Sequence, residues 1–320
     1  MDVGLALPQF DFSVPGRSPL PWDAVVEWAT AAEASGLDSV WLADHLFWSI
    51  EKYGGPPGRS SALDPIAALA GLARATTTVG LGTLVLCAQL RPPTVAAKAL
   101  VTVDVLSGGR LSVGLGAGWY EPEFEAAGVP FERPGVRLQQ LAEAVEVYKA
   151  MFTGGWNDAP CRPRPVQEPR PPVFVGGRGD RLLNVVARHA DGWNTGWRHT
   201  PESYRVRAAV LDAACERAGR DPATVERSLN LYTLVGEDEA DVRRRYERLQ
   251  ALTPPGVIDA TPLEEWRKGA LVGTVEQVRE QLGAWAEVGV AHLIACLGAL
   301  PFAVTDVDDL SLLAAVRKGA

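Results

Sequence analysis

The chain alternates from end to end between short apolar runs and segments with helical spacing. The runs are "VGLAL", "SVWLAD", "TVGLGTLVL", "RLSVGLGAG", "PPVFVGG", "GWNTGW", "RSLNLYTLVG" and "VAHLIACLG", which makes about eight candidate strands. Between them the spacing predicts helices over 22–35, 64–75, 93–106, 134–152, 181–190, 201–218, 239–252, 274–288 and 307–317. Gly36, the pair Gly108 and Gly109, and Gly289 close several of these, because glycine most easily takes the left-handed turn after a helix. Strand, helix, glycine stop, strand is how a parallel sheet is strung together. Runs as continuously apolar as "VGLGTLVL" fit strands covered on both faces.

Eight such units close into a barrel or fan into a doubly wound open sheet. A barrel uses about 250 residues, and the surplus in this 320-residue chain is absorbed by polar, Pro- and Gly-rich stretches at 47–62, 120–133, 153–170 and 253–269. No linker or composition change divides the sequence. The reading is therefore one (β/α)8, or TIM, barrel domain over 1–320, with loop insertions at its C-terminal face. The similar stretches "GLDSVW", "ADGWNT" and "GVAHLI" agree with repeated βα units.

A formal net charge of -8, with arginines scattered among carboxylates, offers no attraction to nucleic acid or anionic lipid. Neither is an expected partner. Cys87, Cys161, Cys215 and Cys296 lie far apart, with no CxxC pair and no histidine at ligand spacing; no metal site and no disulfide framework are expected. The N-terminal "MDVGLALPQF" lacks a basic flank before a long apolar run, and no window reaches the roughly 18 apolar residues of a span. The expected location is the reducing cytoplasm.

Two glycine-rich stretches end predicted strands, on the face where barrels build active sites. In "RLSVGLGAGWYEPEF", Gly114, Gly116 and Gly118 alternate and Trp119 stands where a dinucleotide fingerprint needs its third glycine; in "GGRGDRL", Leu182 does. Both fail as that fingerprint. The alternating glycines clear one face of strand 4, either so that a flat ring can lie on the backbone or so that the barrel interior packs tightly. "VGGRGDRLLNVVARHA" runs a glycine turn straight into a helix. Its free N–H groups would face an anion, helped by Arg178 or Arg181, unless it is a plain turn.

In "SVWLADHLFW", Val40, Leu42 and Asp44 should point one way and Trp41 and Ala43 the other, with Asp44 and His45 at the mouth. His45 is a candidate proton donor or acceptor, since imidazole titrates near neutrality; the alternative is a structural histidine. Trp48 opens the insertion behind it, which could form a lid. His189, His199 and His292 are expected in packing or surface roles.

Taken together, "GLALPQF", "WDAVVEWATAAEASGLDSVWLADHLF", "LGTLVLCAQLRPPTVAAKALVTVDVLSGGRLSVGLGAGWYEPEFEAAGVPF" and "PRPVQEPRPPVFVGGRGDRLLNVVARHADGWN" resemble the luciferase-like monooxygenase superfamily of flavin and deazaflavin oxidoreductases. Within it, "GAGWYEPEFEAAGVPF" is most similar to the actinobacterial branch that uses the 8-hydroxy-5-deazaflavin coenzyme F420. The resemblance implies a cofactor at the C-terminal mouth of the barrel: coenzyme F420, with flavin mononucleotide (FMN) as the alternative. It places His45 beside the ring, acting on a proton, with Asp44 next to it. It puts a non-prolyl cis peptide at Leu84–Val85, and Cys87 just past it, touching the ring or packing. Gly116, Gly118 and Trp119 would flank the ring. Gly176, Gly177 and Arg178 would hold the phosphate, with Asn194 and Thr195 as further contacts. Trp48 and Glu123 fall on the substrate side, Glu123 as a supporting carboxylate.

One departure stands out. Relatives carry a longer V-T-F-x-G-x-H-Y segment where this chain has "TGGWNDAPCRPRPVQ". The expectation is a shortened wall at 153–165 and a pocket that is more open or closed by another loop.

With coenzyme F420 the implied reaction is hydride transfer to or from a small organic substrate, with His45 handling the proton. With reduced FMN and oxygen it is a monooxygenation. Two rivals remain from other classes. A non-catalytic flavin-binding protein would need only the ring platform and phosphate site, not His45, Trp48 and Trp119. A metal-dependent lyase or hydrolase would need carboxylates and histidines clustered at strand ends. By analogy the expected partners are a second copy, through helices such as "PTVAAKALVTVDVL", and a separate reductase supplying reduced cofactor.

Overall fold

The computed structural model describes residues 1–318. Eight parallel strands close a barrel in chain order: β1 (Asp2–Ala6), β2 (Ser39–Leu42), β3 (Gly80–Thr83), β4 (Leu111–Gly116), β5 (Val173–Gly176), β6 (Gly192–Trp197), β7 (Glu226–Gly236) and β8 (His292–Cys296). The ring is shut by β8 against β1, with Asp2 opposite His292 and Leu5 opposite Ala295. All eight predicted strands are present. Around them run α1 (Trp22–Ala34), α2 (Pro65–Ala75), α3 (Pro93–Ser107), α4 (Pro134–Thr153), α5 (Asp180–His189), α6 (Pro201–Arg217), α7 (Val275–Glu287) and α8 (Asp309–Arg317).

Local chemistry sets the helix ends. Asp64 accepts from the N–H groups of Ile66 and Ala67, with Pro65 in the first turn of α2. Thr200 with Ser203, and Thr274 with Gln277, form reciprocal caps on α6 and α7. Gly108, at φ +70°, ends α3.

The strands sort their side chains between two cores. Val40 and Leu42 join Leu69, Leu72 and Trp28 between barrel and helices, while Trp41 and Ala43 turn to the inner core, as the alternation predicts. Each leucine fully buried here contributes about 1.5–3 kcal/mol. Trp41 plugs the barrel: a Cβ on Gly82 would overlap its ring, and its indole N–H donates to Ser39 Oγ at 2.7 Å. Ser39 in turn lies 2.8 Å from His292 Nε2. His292 is therefore a packing residue, and burial pushes its imidazole below its ordinary value.

The insertions divide between the two ends of the barrel. After β2, Phe47–Trp48 pairs antiparallel with Ser60–Ser61 over the mouth. After β4, the stretch read as a loop carries a short helix, Glu121–Ala127, started by Pro122 and stopped by Gly128 at φ +68°. After β7 the chain makes a long excursion. It comprises a cap helix (Glu239–Leu252), a single turn (Leu263–Trp266) and an accessory strand (Leu271–Thr274) that extends β7 before α7 begins. Gly54 of the first insertion and Gly256 of the last meet backbone to backbone, where a Cβ on either would overlap the other's carbonyl oxygen.

The shortened 153–165 segment corrects an expectation. It leaves α4 and leads into the start of β5, so it lies at the N-terminal end of the barrel, away from the mouth. There it forms a small hairpin, Gly155–Trp156 with Ala159–Pro160, and Val166 N–H just beyond donates to Asp104 Oδ2 at 2.6 Å. None of its residues lines the cavity at the mouth. Residues 253–269 do wall that cavity, through Val257, Ile258, Thr261 and Trp266. Among the described residues no helix is long and apolar enough to cross a membrane.

Candidate active site

A cavity of about 960 Å³ opens where the strands end, and the residues that the resemblance assigned to the site border it: Asp44, His45, Trp48, Leu84, Val85, Cys87, Gly116, Gly118, Trp119, Glu123, Gly176, Gly177, Arg178, Asn194 and Thr195; Gly114 and Arg181, also singled out from the sequence, do not line it. They come from five of the eight βα connections or strand ends, which explains why sequence distance hides their proximity.

His45 follows β2 directly. Its Nδ1 lies 2.8 Å from Glu123 Oε2, and Glu123 Oε1 accepts the Leu46 N–H at 2.5 Å. A carboxylate can only accept, so Nδ1 carries a proton, and in the neutral ring Nε2 is the nitrogen with the lone pair. The ring is fixed further by Trp48, stacked at 5.4 Å with planes 5° apart, and by Trp119, edge-on at 5.8 Å. Glu123 thus holds the histidine, and both of its oxygens are engaged there.

Asp44 departs from expectation. It points to the helix side with Val40 and Leu42, as the alternation requires, and its oxygens accept from Arg91 Nη1 at 2.9 and 2.7 Å and from Cys87 N–H at 2.9 Å. Burial pushes its carboxyl up from the ordinary value and Arg91 opposes this. Arg91 also reaches Asp64 at 2.6 Å. Asp44 therefore fastens the segment after β3 to the end of β2, and its carboxylate is not free to move a proton for His45.

The floor is built by Val85. The Leu84–Val85 peptide is cis, at the position the resemblance implied, and Gly196–Trp197 is cis as well. A Cβ on Gly116 would lie 2.8 Å from Val85 Cγ2, and one on Gly176 2.9 Å from Val85 Cγ1. At Gly114 a Cβ would overlap the Thr83 carbonyl oxygen. The alternating glycines are thus needed for packing, and the surface they help expose is the isopropyl group of Val85. Gly118 at φ +68° turns the chain beside Cys87, whose Sγ approaches Gln89 Oε1 at 3.4 Å. Burial pushes the Cys87 thiol up to about 11, which keeps it neutral.

Across the mouth, Gly177 N–H donates to Asn194 O at 2.9 Å, and Trp193 Nε1 donates to Gly177 O at 2.7 Å. The Gly177 amide is therefore spent internally. The donors left for an anion are those of the first turn of α5, whose N-cap, Gly179, supplies no side-chain bond. Arg178 borders the cavity on the same rim. Asn194 Nδ2 donates to Ser228 Oγ at 2.9 Å, and Thr195 Oγ1 lies 3.3 Å from His199 Nε2. His199 is buried, and that burial, with Arg178 nearby, pushes its imidazole down. His189 pairs with Glu146 at 2.8 Å on the surface.

Sequence reasoning missed the outer wall. Arg198 donates to the carbonyls of Trp266 and Lys268 at 2.8 and 2.9 Å and lies over the Tyr232 and Trp266 rings. Lys52 reaches over Trp119, Trp48 and Tyr53. The spacing of "WSIEKY", a cation between aromatics in a polar insertion, was the available signal.

A parallel eight-stranded barrel that gathers a carboxylate-held histidine, a Val85 floor and an open helix start around one cavity at its mouth is the arrangement of a barrel enzyme with its site at the strand ends. Residues 1–292 match the luciferase-like monooxygenase family, and the chain belongs to that family, hence to the oxidoreductases of flavin or deazaflavin type. It is 29% identical over 310 residues to an F420-dependent hydroxymycolic acid dehydrogenase of Mycobacterium tuberculosis, covering 90% of this chain and 80% of that one. It is 25% identical over 235 residues to an FMNH(2)-dependent dimethylsulfone monooxygenase of Pseudomonas putida, covering 62% and 64%. The fold is shared with an F420-dependent secondary alcohol dehydrogenase solved with an F420-acetone adduct (TM-score 0.74, 19% identity, 98% and 97% covered). It is shared also with a monooxygenase of Streptomyces bottropensis (TM-score 0.75, 22% identity, each chain covered in full).

The residues present fit a cofactor of that type. The Val85 floor offers an apolar surface for a flat ring, and the free donors of α5 with Arg178 match an anionic tail.

Proposed function

We propose that this protein moves a hydride between coenzyme F420 and a small organic substrate, using His45 for the accompanying proton. The observation that carries the reading is the His45–Glu123 bond at the cavity floor, because it leaves Nε2 as the one nitrogen able to take or return a proton at a substrate oxygen. When bound, the deazaflavin supplies the hydride donor or acceptor. Everything else is done by the chain. Glu123 and Trp48 orient the imidazole; Glu123 also stabilises it when protonated. Val85, Gly116 and Gly176 shape the floor, and Gly118 and Trp119 flank it. Arg178 and the first turn of α5 hold the phosphate, with Gly177 shaping that turn and Asn194 and Thr195 bordering it. The cap over 237–274 limits water. FMN is the second reading, supported by the FMNH(2)-dependent relative.

Titration of the apo-protein with coenzyme F420 and with FMN tests the choice. We expect the deazaflavin to bind about tenfold or more tightly, a difference of about 1.4 kcal/mol. The reverse order selects FMN, and failure to bind either removes the proposal.

A further inference from the structure

At its outer end the cavity carries an ammonium with no carboxylate partner among the described residues. Lys52 enters from the turn Glu51–Tyr53 on the insertion after β2. Its ammonium lies 3.6 Å from the Trp119 ring centre, 4.8 Å from that of Trp48 and 5.0 Å from that of Tyr53. The residue as a whole is exposed, yet the rings displace water from the amine and push it down to about 8, with no carboxylate holding it up. Trp48 and Trp266, 3% and 1% exposed, border the same space. Their indole N–H groups have no acceptor among the described residues.

The carboxylates bordering the cavity are already committed: Asp44 to Arg91 and the Cys87 amide, Glu123 to His45 and the Leu46 amide. Arg198 is committed to carbonyl oxygens. What remains at this end is one cation with no carboxylate partner, within an aromatic wall that includes Tyr232 and Phe302. A single cation matches a single negative charge, and the rings match an apolar body.

We propose that the substrate carries a carboxylate on an apolar or aromatic body, and that Lys52 is the residue that selects it. This rests on the cavity being the substrate and cofactor site proposed above. Lys52 discriminates among substrates and takes no part in proton or hydride movement. Arg178, on the opposite rim, serves the cofactor.

The test uses 3-phenylpropionate and its neutral match, 3-phenylpropanamide, titrated into the full chain with and without bound coenzyme F420, followed by tryptophan fluorescence and calorimetry. The acid is expected to bind about tenfold or more tightly than the amide. Lys52→Met should erase that preference by weakening the acid alone, Lys52→Arg should keep most of it, and both variants should bind coenzyme F420 within about twofold of the parent protein. Equal or undetectable binding of acid and amide, or a preference that survives Lys52→Met, overturns the inference. So does a loss of cofactor affinity in Lys52→Met with probe binding unchanged. Cofactor binding without acid preference sinks this inference alone; acid preference without binding of either cofactor sinks the functional reading alone.

Discussion

His45 and Glu123, 78 residues apart, meet at 2.8 Å. One is delivered by the end of β2 and the other by the short helix Glu121–Ala127 after β4, so the bond depends on two βα connections on either side of β3 keeping their relative position. His45→Asn should lower turnover by about 10²–10⁴-fold with little change in cofactor affinity. Glu123→Gln should cost about 10–100-fold in turnover, because the imidazole loses the acceptor that orients it. Parent-like turnover in Glu123→Gln would show that the two do not act together.

Arg178 is the cation placed to meet a cofactor phosphate. Arg178→Met should weaken coenzyme F420 binding about tenfold or more, the loss of a charge-assisted bond, and should flatten the salt dependence of binding. Calorimetry at low and high salt reads both. Parent-like affinity and salt dependence would place the phosphate elsewhere.

The glycines of β4 should differ in their tolerance of a methyl group. At Gly114 the added Cβ meets the backbone oxygen of Thr83, which cannot move aside; at Gly116 it meets a methyl of Val85 at 2.8 Å, which can shift slightly. Gly114→Ala should therefore lose about 2–3 kcal/mol and Gly116→Ala about 1 kcal/mol. Urea unfolding of the two variants checks the order, and equal losses would refute it.

Glu33 links α1 to the segment entering β3. Its Oε1 accepts from the N–H groups of Thr77, Thr78 and Val79 at 2.6–3.0 Å. Burial alone would raise its carboxyl, but these bonds outweigh it and hold the group at about 2, below the ordinary 4.5. A depressed carboxyl stabilises the fold above its unfolded value and loses that contribution as pH falls from about 4.5 toward 2. The gain is about 1 kcal/mol once screening by solvent is allowed for. Glu33→Gln should lower the melting temperature at pH 7 and narrow its gap to the parent protein near pH 3. A gap independent of pH would count against the carboxylate.

The barrel was legible because apolar runs such as "SVWLAD" and "VAHLIACLG" stand between segments of helical spacing, several of which are closed by glycine. Asp44, His45 and Glu123 stood out as chemistry, but their pairings did not. Whether Asp44 answers to His45 or to Arg91 depends on which face of β2 meets which connection, and Arg91 lies 47 residues away. The helix Glu239–Leu252 was visible, yet not that it caps the mouth. Its apolar residues Val242, Tyr246 and Leu249 join the inner core instead of the shell between barrel and helices, a distinction periodicity cannot make. The 153–165 segment could have been placed correctly: any stretch that leaves a helix to enter a strand lies at the bottom of such a barrel.

The meeting of Gly54 with Gly256 has a consequence for biosynthesis. The roof of the pocket is made by two arches drawn from opposite ends of the polypeptide, so a ribosome that has delivered only the first two hundred and fifty or so residues has produced neither the far rim nor β8, the strand that shuts the ring. Ligand capture thus has to wait for the last quarter of the chain, and a fragment ending before that point would hold His45 and Arg178 on a sheet still open at one side.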